Sequence, residues 1–199
     1  MVKEGFPFVG ITFLIALIFA FFGLWIGVII FGLLTLFMAY FFRNPNRVIP
    51  TEPNIIVSPA DGRVTRVEEN ADGKFISIFL SPLDVHVNRS PIAGKIEKVN
   101  YIYGKKMPAT SNNASLINER NSLLIQGEKI AVTVTQIAGI VARRIVCWNK
   151  EGDSLERGQL FGLIKFSSRT DLQMPKNVDV LVKIDDKVKG GETIIARIL

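Results

Sequence analysis

Between Gly5 and Phe42 the chain carries no charged residue, and no other feature restricts its folding as much. A helix on the surface of a globular domain is apolar along one stripe only, so a run apolar all round belongs in a membrane or a deep core. A single crossing does not use it up. A helix rises about 1.5 Å per residue against a hydrocarbon layer of about 30 Å, so roughly 20 residues suffice, and the run holds about twice that. A signal peptide would show a shorter apolar core and a small-residue cleavage site. The pattern predicts a helical hairpin, residues 6–21 and 24–42, turning near Gly23. Each arm is short for a span, so a shallow or re-entrant hairpin is the alternative. Lys3 precedes the first arm, and Arg43 and Arg47 follow the second. The positive-inside tendency then puts both ends in the cytoplasm. Pro45 and Pro50 in "FFRNPNRVIP" stop helix continuation. Residues 1–43 are therefore expected to anchor the chain in the cell membrane, and residues 44–199 to form a domain on the cytoplasmic side.

Charge follows the same division. Lys3 and Glu4 cancel, so the net charge of +6 lies on residues 43–199, next to the membrane. A basic domain held there favours an anionic lipid surface. Nucleic acid is not expected as a partner, because no binding motif and no dense Lys/Arg run accompanies the charge. The single Cys, Cys147, excludes a disulfide framework and a cysteine metal cluster, and the single His, His86, excludes a multi-histidine site. No metal is expected. Cys147 reads as a small buried apolar residue.

From Asn54 onward short β-like runs alternate with Gly, Pro and Asn: "NIIVS", "KFISIFL", "KIEKVNYIY", "NSLLIQ", "KIAVTVTQIAG", "ETIIARIL". The domain reads as mostly β. "SPADGRVTRV" from Ser58 and "SPIAGKIEKV" from Ser90 share one pattern, S-P-x-x-G-[KR]-[VI]-x-[KR]-V, a turn followed by a strand used twice. "VLVKIDDKVKGGETIIARI" adds a strand, a "DDKVKGG" turn and a strand. Together they resemble the flattened, pseudo-symmetric β-barrel of lipoyl- and biotinyl-type domains, a likeness of architecture alone. The repeat also isolates a difference, since the first copy has Asp61 where the second has Ala93. Asp61-Gly62 is a strong turn signal by itself, so the carboxylate has a structural reading beside a chemical one.

"LFGLIKFSSRTD" reads as a buried strand ending in Ser167 and Ser168. His86 lies in "FLSPLDVHVNRSP", facing opposite to Val85 and Val87 if that segment is extended. A carboxylate that orients an imidazole, which in turn takes a hydroxyl proton, is a familiar nucleophile set. Spacing along the chain does not establish that Asp61, His86 and a serine meet.

The motifs "SPADG", "LDVHVNRSP", "QIAGIVARRIVC", "ERGQLFGLIKFSSR" and "DKVKGGETIIA", following an apolar anchor and "FFRNP", resemble the short form of phosphatidylserine decarboxylase. Archaetidylserine decarboxylases belong to the same group and match equally well. The resemblance implies a proenzyme that cuts itself between Ser167 and Ser168. The products are a β-chain, residues 1–167, and an α-chain, residues 168–199, which stay together. It further implies that Asp61, His86 and Ser168 are the site residues. Ser168 Oγ attacks the carbonyl carbon of residue 167 to give an ester, with His86, held by Asp61, taking the proton. β-Elimination and hydrolysis then leave a pyruvoyl group at residue 168, the covalent cofactor. That group serves as the electron sink when the head group of a serine phospholipid loses carbon dioxide and becomes ethanolamine.

One residue departs from the family pattern. Glycine normally precedes the nucleophile, and this chain has Ser167. A β-carbon there costs on the order of 1–3 kcal/mol if φ is positive, which slows attack by roughly one to two orders of magnitude. A precursor held uncut is one expectation, and a natural variant that still cleaves is the alternative. Arg143, Arg144 and Arg169 are candidates for the lipid phosphate, and alternation puts Arg143 and Arg144 on opposite faces of a strand. "YGKKMPATSNNAS" reads as a polar loop, at the membrane surface or simply exposed, and "NERNS" has no assigned role. A non-enzymatic carrier or membrane adaptor on the same barrel is the alternative; its modifiable lysine would be Lys187 or Lys189, neither in the setting such carriers use. A homodimer is the expected assembly if one forms.

Overall fold

The computed structural model describes residues 1–199 other than 72, 105–116, 140–143 and 167. Ser167, Arg143 and most of the "YGKKMPATSNNAS" loop thus lie outside the described residues. The chain divides into two compact units, Met1–Asn46 and Arg47–Leu199.

The first unit is a helical hairpin. A 3-10 turn, Lys3–Gly5, leads into α1 (Phe6–Phe21), and α2 (Trp25–Phe41) follows. Gly23 makes the reversal with φ 67°. Its N–H bonds the Ala20 carbonyl, and the Leu24 N–H reaches back to Phe19. This Schellman-type ending favours glycine because of the left-handed angle. Two hydroxyls sit inside the apolar surface and are satisfied locally. Thr12 donates to Phe8 O at 2.9 Å, and Thr35 donates to Phe31 O at 2.7 Å with Thr12 Oγ1 3.0 Å away across the helices. Phe19 stacks on Phe31, and the space beside Phe19 exists because Gly27 has no side chain. Most remaining large apolar side chains of both helices are exposed, as lipid-facing side chains would be. The 19-residue stretch Lys3–Phe21 has membrane length, whereas α2, with 17 residues, is shorter.

The second unit is mostly β. Its strands are β1 (Ile55–Val57), β2 (Gly62–Asn70), β3 (Gly73–Leu80), β4 (Val87–Arg89), β5 (Gly94–Ile102), β6 (Arg120–Gln126) and β7 (Ala131–Ala138). β8 (Ile145–Cys147), β9 (Ser154–Leu155), β10 (Leu160–Ile164), β11 (Ser168–Met174), β12 (Val178–Val180), β13 (Lys187–Val188) and β14 (Ile194–Ile198) follow. Eight form a curled antiparallel half-barrel in the order β13-β2-β3-β11-β7-β6-β5-β9, and two three-stranded sheets, β1-β14-β12 and β4-β10-β8, complete the unit. β6 and β7 alternate buried and half-buried residues, as strands with one covered face do. β11, in the middle of the large sheet, is buried on both faces except at Gln173. The apolar core gathers Ile56, Ile78, Ile96, Leu123, Phe161 and Leu172, all fully buried.

The internal repeat is visible atom by atom. Ser58 Oγ donates to Ala60 O, and Ser90 Oγ to Ile92 O, both at 2.7 Å. Gly191 N–H bonds Ser58 O just as Gly158 N–H bonds Ser90 O. β13 pairs with β2 at Gly62 and Arg63, and β9 pairs with β5 at Gly94 and Lys95. Each long strand bulges at the same place, between Val64 and Arg66 and between Ile96 and Lys98. The "DDKVKGG" segment thus has a partner the sequence did not advertise, "GDSLERG". Asp186 and Asp153 each turn a carboxylate onto a backbone N–H three residues earlier, at Lys183 and Lys150. β12 and β14 pair with one another, and the segment between them carries β13 rather than a simple turn.

Candidate active site

Ser168 does not end a strand. β10 stops at Ile164, and Ser168 opens β11 in a different sheet. In the junction Phe166 has φ 62°, a left-handed angle that a bulky side chain adopts only under strain, at a cost of about 1–3 kcal/mol. The left-handed angle lies at Phe166, the residue before the position where the sequence places the conformational cost.

Ser168 faces Leu80 of β3 and Ala138 of β7 in register. It is fully buried, and among the described residues its Oγ has no hydrogen-bond partner. A buried hydroxyl without a partner is unusual and calls for a chemical reason. It fits a group whose oxygen must be available for reaction.

His86 lies just ahead of β4 and is 1% exposed. Its carbonyl accepts the Ile164 N–H at 3.2 Å, which fixes it against the strand leading to the serines. Its Nδ1 is 2.9 Å from the Asp84 carbonyl oxygen. A carbonyl only accepts, so Nδ1 carries the proton, and in the neutral ring Nε2 is the basic nitrogen.

Asp61 sits in the first copy of the repeat, in the turn before β2. Arg47 grips it with one nitrogen at 3.0 Å and 2.7 Å from the two carboxylate oxygens, and the Gly190 N–H adds a third bond at 2.8 Å. Arg47 also reaches Glu192 at 3.3 Å. Burial pushes the Asp61 carboxyl above its ordinary value of 3.8, while the Gly190 N–H and the Arg47 guanidinium pull it back in part. The charge that the sequence assigns to the membrane-flanking tally at Arg47 is thus spent on Asp61, and in the described contacts Asp84 rather than Asp61 meets the His86 Nδ1. No sequence signal marks Arg47 or Gly190 as site residues, because both reach Asp61 from distant parts of the chain.

The three segments converge. Asn88, two residues past His86, donates to Thr170 Oγ1 at 3.0 Å, two residues past Ser168. The same nitrogen lies 3.4 Å from the carbonyl of Pro59, two residues before Asp61. The candidate arginines separate. Arg144 is exposed, and its carbonyl accepts the Lys165 N–H at 3.1 Å, close in sequence to the serines. Arg169 is 2% exposed, with its guanidinium on both oxygens of Asp171 at 2.9 and 3.0 Å. That fork is already occupied by a carboxylate, so the phosphate role expected of Arg169 does not suit its position.

Residues 34–196 match the family model described as phosphatidylserine decarboxylase. The chain belongs to the phosphatidylserine decarboxylase family. It is 46% identical to the phosphatidylserine decarboxylase proenzyme of Carboxydothermus hydrogenoformans, over all of this chain and 96% of that protein. It is 45% identical to the proenzyme of Nitratidesulfovibrio vulgaris, over 98% of this chain and 93% of the other, and 44% identical to that of Symbiobacterium thermophilum, over 98% and 94%. Phosphatidylserine decarboxylase proenzymes carry a pyruvoyl group.

Proposed function

We propose that this chain is a membrane-anchored decarboxylase that converts phosphatidylserine to the ethanolamine lipid after cutting itself between residues 167 and 168. The orphaned Ser168 hydroxyl in a fully buried position carries this reading. Ser168 Oγ attacks the carbonyl carbon of residue 167, and His86 Nε2 takes the hydroxyl proton. The amide nitrogen, receiving that proton, leaves as the amine of residue 168, and an ester takes the place of the peptide bond; β-elimination then frees residue 167 as a carboxylate, and hydrolysis releases the nitrogen as ammonia. The Asp84 carbonyl keeps the proton on Nδ1, which leaves Nε2 to act as base. Asp61, half-buried and paired with Arg47, is the carboxylate of the set. The left-handed Phe166 adds strain beside the bond to be broken. The pyruvoyl ketone, once formed, supplies an electron sink for the carbanion left as carbon dioxide departs.

Among the described candidates Arg144 is the arginine best disposed toward the lipid phosphate, being exposed and tied to the β10–β11 junction. The anchor is the hairpin, with the second unit on the cytoplasmic side, a placement now resting on Lys3 and Arg43. Ser167 in place of glycine slows the cut. Intact mass spectrometry of the purified protein tests the central step. Fragments corresponding to residues 1–167 and 168–199 are expected, slowly from this chain and faster after Ser167→Gly. Borohydride and hydroxylamine should then abolish carbon dioxide release from serine-labelled phosphatidylserine. Fragments that form equally well after Ser168→Ala would refute the assignment.

A further inference from the structure

Asp61, His86 and Ser168 share a geometric relation that their own contacts do not explain. Pro59, Asn88 and Thr170 each lie two residues from one of them, and along the strand that opens at Ser168 the alternation puts Thr170 on the same side as Ser168. Asn88 connects all three positions. Its Nδ2 donates to Thr170 Oγ1 at 3.0 Å and lies 3.4 Å from Pro59 O, while its Oδ1 accepts from Gln136 Nε2 at 2.9 Å. Gln136 is held in turn by Asn121, whose Nδ2 donates to its Oε1 at 3.1 Å. Asn88, Gln136, Asn121 and Thr170 are all fully buried.

β4 and β11 belong to different sheets, so no backbone ladder sets the distance between them. The Asn88–Thr170 bond does so, one rung away from the candidate base and nucleophile. A core could fill this space with apolar side chains at little or no loss of stability. A fully bonded amide chain instead admits one register and one spacing.

We propose that Asn88 is a positioning residue that, through Thr170 and Gln136, fixes the spacing of His86 and Ser168. This inference rests on the functional reading above. It also gives "NERNS" a part, since Asn121 of that motif orients Gln136. The bond crosses the proposed cut: Asn88 and Gln136 lie before residue 167 and Thr170 after it, so the rung survives processing and serves the mature protein too.

Thr170→Val and Thr170→Ser separate positioning from mere stability. Valine keeps the branched shape and removes the hydroxyl; serine keeps the hydroxyl. Both changes are made in the full-length protein, alone and with Ser167→Gly. Fragment formation is followed by mass. The ring resonances of His86, the sole histidine, are followed by NMR in the uncut chain. Thr170→Val should slow fragment formation about tenfold or more and displace the imidazole resonances. Thr170→Ser should restore both to near the parent. If valine lowers the melting temperature while cutting and the imidazole signals stay unchanged, the inference is overturned. If the Ser167→Gly parent never yields fragments, the functional reading fails instead, and the imidazole comparison still decides the spacing role.

Discussion

The two copies of the repeat build the same corner twice and arm it once. In both, a serine hydroxyl caps a carbonyl two residues on, a glycine N–H closes onto the serine carbonyl, and a two-residue strand pairs with the start of the long one. In the first copy the corner holds Asp61, bound by Arg47 and the Gly190 N–H. In the second, Ala93 and Arg157 stand at the corresponding places and line an open cavity of about 390 Å³ with Ile92 and Lys129. The turn therefore forms without a carboxylate. The structural reading of Asp61 as a turn residue is insufficient, because Ala93 gives the same turn. What Asp61 adds is a half-buried carboxylate, which costs stability unless it is held, and the chain supplies an arginine to hold it.

This contrast can be broken deliberately. Asp61→Ala turns the first corner into the second. Self-cleavage should drop about a hundredfold or more while the β fold persists, checked by fragment mass and circular dichroism. Arg47→Met leaves the half-buried Asp61 without its cation and should cost about 1–3 kcal/mol in denaturant unfolding, with Arg47→Lys recovering part. The pH dependence comes next in size. The folded-state value of Asp61 is raised, so the folded chain binds its proton more readily than the unfolded one. Its contribution to stability is unfavourable at neutral pH and is relieved as pH falls through the folded value toward 3.8. Asp61→Asn should remove that component from the stability–pH curve. The smallest effect belongs to Ala93→Asp, which places a carboxylate at an exposed site of the second corner. It should change stability by no more than about 0.5 kcal/mol and leave cutting untouched.

Much of this was legible in the residues. The charge-free run and Gly23 gave the hairpin, because apolar length and a left-handed turn are local properties. S-P-x-x-G gave the repeat for the same reason. Its other half, "DDKVKGG" against "GDSLERG", escaped notice because the two segments share backbone bonding rather than side chains, keeping only Asp186 with Asp153 and Gly191 with Gly158. Arg47 was read as a membrane-flanking charge, since nothing in the order of residues says that it meets Asp61. Where Arg169 lies is hidden for a related reason. Its proximity to Ser168 is plain in the sequence, but the pairing with Asp171 in a strand covered on both faces is not. The break between β10 and β11 was hidden by the apolar character common to both.

The most direct measurement is the intact mass of the purified full-length protein carrying Ser167→Gly. Two species, residues 1–167 and residues 168–199 with a carbonyl in place of the terminal amine, are expected, and adding Ser168→Ala should return one uncut mass. A Ser167→Gly protein that is folded and remains a single chain would contradict the claim that Ser168 attacks its own backbone.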